Sequence, residues 1–227
     1  MNINSLNPRL RKIAGLVPQN ACTADIGTDH AYIPIVLTET GVTKRAIASD
    51  IKKGPLMRAD ENIRRNGLAD RIETRLGAGL ETLEPNDAEV IIIAGMGGIL
   101  ISDILENSRA VTNTAKLLIL QPMTAVPELR EYLSQNGYAI TAEYLEAEEE
   151  KIYNIITATP HGNTEYSKKE IYLGRGLEET SPELFSRYKT AVLTKLNRRA
   201  EGLEKAQSPE SKQELEKIQS LITLLSE

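Results

Sequence analysis

From Asp25 to Tyr32 the chain reads Asp-Ile-Gly-Thr-Asp-His-Ala-Tyr, with two carboxylates, two hydroxyl groups and an imidazole gathered around one glycine. An apolar run precedes this stretch and a helical pattern follows it, so it reads as a strand, a glycine turn and a helix start. Such a turn places free backbone N–H groups and a helix N-terminus at the C-terminal end of a strand, where polar ligands bind. The dinucleotide-binding fingerprint needs three glycines there, and this turn has one. Thr28, Asp29 and His30 therefore crowd the place a pyrophosphate would take, which disfavours NAD and FAD. S-adenosylmethionine carries no phosphate, and its cationic sulfonium and amino group tolerate neighbouring carboxylates.

Other strand ends supply the rest of such a site. Asp50, twenty-three positions after Gly27, stands where an acidic residue accepts both ribose hydroxyls; its alternative role is a loop or helix-cap carboxylate. Gly77-Ala78-Gly79 either lets backbone approach an adenine ring or makes an ordinary turn. Gly95-Met96-Gly97-Gly98 suggests a flat or bulky group brought against backbone. The expected cofactor residues are Asp25, Gly27 and Thr28 at the first strand end, Asp50 and Ile51 at the second, Gly77, Ala78 and Gly79 at the third, and Ala94, Gly95 and Met96 at the fourth. Two histidines and one cysteine form no convincing metal cluster, and no Ser-His-Asp or Cys-His arrangement points to a hydrolase.

The elements that must position these residues alternate in type. A helix from about Asn7 to Val17 puts Leu10, Ile13, Ala14 and Val17 on one face, with Arg9, Arg11 and Lys12 elsewhere. Strands are expected at 21–26, 46–50, 72–76, 89–94 and 116–121. Between them come helices ending near Thr38 and spanning 55–66, 99–107 and 126–136. A closing pair of strands, 138–146 and 152–159, is joined by an acidic turn too short for a parallel crossover, so the last strand must run antiparallel. The fold class is therefore α/β, a mostly parallel Rossmann-like sheet in the class I methyltransferase pattern.

Residues 1–160 form that domain, and 161–227 form a helical one. Ser181-Pro182-Glu183 and Ser208-Pro209-Glu210 mark two helix starts. Phe185, Val192, Leu196 and Leu203, then Leu215, Ile218, Ile222 and Leu225, recur at near-heptad spacing, which implies an antiparallel coiled hairpin. Arg187 to Arg199 holds five basic residues and no acidic one, the composition of a solvated face unless a partner is shown. A net charge of −5 over 227 residues excludes a protein coated in basic residues. With no Trp and only Phe185 as phenylalanine, there is no aromatic platform for single-stranded nucleic acid. Cys22 alone forms no internal disulfide, and neither a signal sequence nor a membrane-length apolar run is seen. The expectation is a cytoplasmic monomer without metal or membrane contact.

Three segments in order, Asp25-Ile26-Gly27-Thr28-Asp29-His30-Ala31-Tyr32-Ile33-Pro34, Ala94-Gly95-Met96-Gly97-Gly98 and Leu120-Gln121-Pro122-Met123, resemble the bacterial tRNA (adenine-22-N1)-methyltransferase family. The resemblance runs over essentially the whole chain and implies methyl transfer from S-adenosylmethionine to N1 of an adenine in the D-arm region of tRNA. It implies Asp29, with His30 and Tyr32, beside the target base. There Asp29 would stabilise the developing cation and accept from the exocyclic amine, while also able to cap the next helix. Arg9, in the family's N-terminal Arg-Leu pair, would hold a phosphate or shape the pocket. Gly97, Gly98, Gln121, Pro122 and Met123 would receive the base, flipped out because N1 lies on its Watson–Crick edge. Amino-methyltransferases carry an Asn/Asp-Pro-Pro-Tyr tetrad where this chain has Ala94-Gly95-Met96-Gly97, a difference that suits attack by a ring nitrogen. In this context Lys195, Arg198 and Arg199 become phosphate contacts. A small-molecule methyltransferase and a non-catalytic S-adenosylmethionine-binding module are the alternatives.

Overall fold

The computed structural model describes residues 3–206 and 208–227, and packing divides the chain into Met1–Glu165 and Tyr166–Glu227. The first unit runs α1 (Pro8–Gly15), β1 (Ala21–Ile26), α2 (Tyr32–Glu39), β2 (Thr43–Asp50), α3 (Lys53–Arg65) and β3 (Ile72–Leu76). It continues with β4 (Val90–Gly97), α4 (Gly98–Asn107), α5 (Arg109–Thr112), β5 (Leu117–Thr124), α6 (Val126–Gln135), β6 (Tyr138–Glu148) and β7 (Lys151–Pro160). The strands form one sheet in the order β3-β2-β1-β4-β5-β7-β6. β1 to β5 are parallel, and β7 is antiparallel to both β5 and β6. The expected reversal at the last strand is therefore present, and the turn that forces it is only Glu149-Glu150.

Val90, Ile91, Ile92 and Ile93 make the centre of the sheet, each at most 1% exposed. A strand buried on both faces needs apolar side chains at every position. Ile91 and Ile93 pack with Ile101, Leu105, Leu129 and Leu133 of α4 and α6. Val90 and Ile92 pack with Ile13 of α1 and with Ile33, Val36 and Leu37 of α2. α3 closes a third cluster, in which Ala59 and Ile63 meet Ala31, Ile35, Ala46 and Ala48.

The glycine-rich segment after β4 departs from the sequence expectation of a loop. β4 continues through Gly97 and β5 through Thr124, with Ala94 opposite Gln121 and Met96 opposite Pro122, so Gly95 is the extra residue of an irregular pairing. Pro122 is tolerated inside a strand because the ladder breaks there. Gly98 is buried as the first residue of α4. A Cβ on it would stand 2.1 Å from the backbone oxygen of Ala125. Close backbone packing between two strand ends already requires that glycine.

The second unit holds α7 (Lys168–Leu173), α8 (Leu177–Thr180), α9 (Pro182–Ala206) and α10 (Pro209–Ser226). α9 and α10 begin at the two Ser-Pro steps and pack as the hairpin; α9 buries Phe185, Tyr188, Leu196 and Ala200, and α10 buries Ile218, Leu221 and Leu225. α7 and α8 carry no long apolar period and were not expected; a capping box of Ser167 and Glu170 starts α7. Residues 161–165 stay with the sheet, where the Thr164 hydroxyl accepts from the Ile140 N–H at 2.7 Å.

Candidate active site

Gly27 has φ +77°, a left-handed conformation that glycine adopts without strain. Its N–H and that of Thr28 both donate to the Ser49 carbonyl, at 2.8 and 2.9 Å. These two amides are consumed by β2, so of the N–H groups expected at the turn Gly27 and Thr28 offer none to a ligand. The Thr28 hydroxyl accepts from the Ala31 N–H at 3.1 Å and so closes the turn ahead of α2. Asp29 does not cap that helix, contrary to expectation; the capping position is Ala31, whose own side chain makes no capping bond. Freed from the backbone, Asp29 faces outward beside Arg58, with Nη2 to Oδ1 at 2.6 Å, and His30, with Nε2 to Oδ2 at 3.5 Å. The His30 ring lies on Tyr32, centroids 5.1 Å apart and planes 16° apart.

A cleft of about 560 Å³ opens across the ends of β1 to β4 and contains most of the expected cofactor residues: Gly27, Asp50, Ile51, Gly77, Ala78, Gly79, Gly95 and Met96. Asp25, Thr28 and Ala94 do not line it. Asp50 is half-buried and accepts from the Lys52 N–H at 2.6 Å through Oδ1, so its backbone partner lies in the loop and α3 starts without it. The Met96 side chain reaches the Gly27 Cα, where a Cβ would stand 2.2 Å from its methyl carbon. Leu100, Asp103, Ile104 and Asn107, which are not among the residues expected from sequence, line the cleft from α4. Their i, i+3, i+4, i+7 spacing after a strand-to-helix junction was the available signal.

Behind Gly27, the Asp25 carboxyl is buried, and its pKa is raised to about 6 by desolvation. The Thr28 hydroxyl opposes this rise and the Asp50 charge adds to it. Asp29, Asp50, Glu81 and Asp103 rim the cleft against Lys52 and Arg58. A carboxylate-rich cleft with apolar walls from Ile51, Leu80, Leu100 and Ile104 fits S-adenosylmethionine: there is no phosphate cradle, and positive charge is welcome.

The segment from β5 joins the site through one buried side chain. Gln121, fully buried, accepts through Oε1 from Arg9 Nη1 at 2.7 Å and from the Gly95 N–H at 3.1 Å. Its Nε2 donates to the Pro122 carbonyl at 2.9 Å. Arg9 also lies 5.2 Å over the Tyr153 ring and 3.7 Å from Glu148. It is thus placed to shape the pocket, and its guanidinium is not turned to solvent for a phosphate. Gln121, Pro122 and Gly98 are buried, whereas Met123 is 44% exposed. Glu148, at the end of β6, had no motif to announce it. In the second unit Lys195 and Arg198 are exposed on α9, and Arg199 is tied to Glu214 of α10. Among the described residues no group of three His, Cys, Asp or Glu side chains is placed to hold a metal ion. No helix among them is long and apolar enough to cross a membrane.

A parallel sheet with β7 inserted antiparallel beside β5, and a carboxylate-rimmed cleft across the ends of β1 to β4, defines a Rossmann-like methyltransferase. The methyltransferase-domain family matches residues 6–156. The chain is 38% identical over 158 residues to the tRNA (adenine(22)-N(1))-methyltransferase of Bacillus subtilis, a match covering 70% of this chain and 66% of that protein, just under two thirds of its length. The crystal structure of the B. subtilis M1A22 tRNA methyltransferase TrmK aligns with a TM-score of 0.89 at 31% identity, over 98% of this chain and 97% of that one. A Streptococcus pneumoniae putative tRNA (m1A22) methyltransferase in complex with S-adenosyl-L-methionine aligns at 0.79 and 36% identity, over 96% and 97%. The chain belongs to the bacterial tRNA (adenine-22-N1)-methyltransferase family.

Proposed function

We propose that this protein methylates N1 of adenine 22 in tRNA, with S-adenosylmethionine as donor. The observation that carries the reading is Asp29, an outward carboxylate at the mouth of the cleft beside the stacked His30 and Tyr32 rings, in a chain of this family. When bound, S-adenosylmethionine supplies a methyl group on a cationic sulfur. Adenine N1 is unprotonated at neutral pH and offers its lone pair, so the site needs no base before attack. The product is a cation, and Asp29 stabilises the charge as it develops and accepts from the exocyclic amine. Tyr32 and Met123, both partly exposed at the rim, offer apolar surface to a base taken out of its stack. Met96 borders the same mouth, and Gln121, itself bonded by Arg9, holds the Gly95 N–H. Lys195 and Arg198 on α9 are free to meet phosphates, whereas Arg199 serves the hairpin.

Labelled cofactor and unmodified bulk tRNA test this. Label recovered at adenine N1 supports it; label only in small molecules, or cofactor binding without transfer, overturns it. Asp29→Asn should lower kcat about 100-fold, as loss of one transition-state electrostatic partner does, with cofactor affinity held within about threefold.

A further inference from the structure

We infer that Arg58 is a positioning residue for the methyl transfer, holding Asp29 in the orientation the reaction uses. The inference rests on the reading of Asp29 given above. α3 carries three arginines after its first turn, and they pair differently. Arg64 bonds Asp60 and Arg65 bonds Glu61, each to its own i−4 neighbour. At the i−4 position of Arg58 stands Gly54, which offers no side chain, and Arg58 reaches across to Asp29 instead.

One turn further along α3, Asn62 Nδ2 donates to the His30 carbonyl at 3.2 Å. The same face of α3 thus grips the loop twice, through the carboxylate of Asp29 and the backbone of His30. Between these two bonds lies the apolar contact of Ala59 and Ile63 with Ala31 and Ile35, so the loop is fixed from below as well. Arg58 engages Oδ1 only, and Oδ2 turns toward His30. One oxygen is held while the other remains available to the amine of the target base. With both side chains half exposed or more, such a pair contributes little to stability. Its effect is on geometry, where a displacement of about 1 Å costs up to about 100-fold in rate.

Steady-state kinetics on tRNA decide the matter. Arg58→Ala should lower kcat about tenfold at saturating cofactor while leaving the KM for tRNA and the unfolding midpoint unchanged, and Arg58→Lys should recover part of the rate. In an Asp29→Asn background the Arg58→Ala change should have no further effect on kcat, because nothing remains to be positioned. A raised KM with unchanged kcat would make Arg58 a phosphate contact and overturn the inference. So would an equal kcat loss with and without Asp29. If Asp29→Asn alone leaves kcat unchanged, the reading of Asp29 falls; if it is slow and Arg58→Ala is not, only the role of Arg58 falls.

Discussion

At the N-terminal ends of the parallel strands, charged side chains close on one another; at the C-terminal ends, apolar and acidic side chains stand open. Before β4 and β5, Glu89 accepts from Lys116 and from the Cys22 N–H, an arrangement complete in itself. At the opposite end the exposed large apolar residues are Tyr32, Ile51, Met57, Leu76, Ile99, Leu100 and Met123, and all lie on strand ends, the loops after them or the first two turns of the helices that follow. Among the described residues no other large apolar side chain is so exposed. An apolar surface gathered on one rim marks a place that binds something. The two ends also titrate oppositely: Glu89 is held below the usual carboxylate range by Lys116, whereas burial pushes Asp25 up. One edge is satisfied by the fold alone, and the other is left for ligands to complete.

The largest effect that sharpens this contrast is expected at Gln121. Gln121→Leu removes the acceptor of both Arg9 and the Gly95 N–H, and Arg9 already has one buried nitrogen without a partner. Two part-buried hydrogen bonds lost, one of them from a charged donor, predict a loss of about 3 kcal/mol in chemical denaturation, with methyl transfer falling in parallel. Gln121→Glu keeps the acceptor and should lose less. An unchanged midpoint for the leucine variant would mean that the β5 side of the rim does not depend on its buried polar link.

Much of this was legible in the sequence, and the exceptions have physical causes. β4 announced itself because a strand buried on both faces must be apolar at each position, and Asp25, Gly27 and Asp50 because strand-turn-helix junctions concentrate polar groups. The role of Gly98 was misread because a glycine demanded by a neighbouring backbone looks the same in sequence as one demanded by a ligand. Ala125, which supplies that backbone oxygen, is 27 positions away. Asp29 was credited with a capping bond that Thr28 makes, since both residue types cap and only geometry separates them. Arg58 and Glu148 reach the site from distant segments through long side chains, and no local spacing encodes such a meeting.

A smaller effect, with the opposite sign on stability, is expected at Asp25. Its folded pKa of about 6 lies above the ordinary 3.8. The group therefore favours folding below about pH 3.8, and that contribution is lost as pH rises through about 6. A shift of about two units, in which the opposing Thr28 bond is already counted, corresponds to about 2–3 kcal/mol. Asp25→Asn should thus gain about 2 kcal/mol at pH 8 and nothing near pH 4, read by chemical denaturation at the two pH values. An asparagine variant less stable than the parent at pH 8 would contradict that account.

The smallest effect belongs to the other edge. Glu89 is depressed first by its bond from Lys116 and then by the Cys22 N–H, so its contribution is present above the usual carboxylate range and is lost as pH falls. The Lys116 side chain is 76% exposed; water and salt replace it readily, and the Cys22 N–H still satisfies Glu89 when it is gone. Lys116→Ala should therefore shift neither the unfolding midpoint nor kcat measurably, at low or high ionic strength. A fall in kcat would break the contrast between the two ends, because it would require an edge closed on itself to act on chemistry at the far side of the sheet.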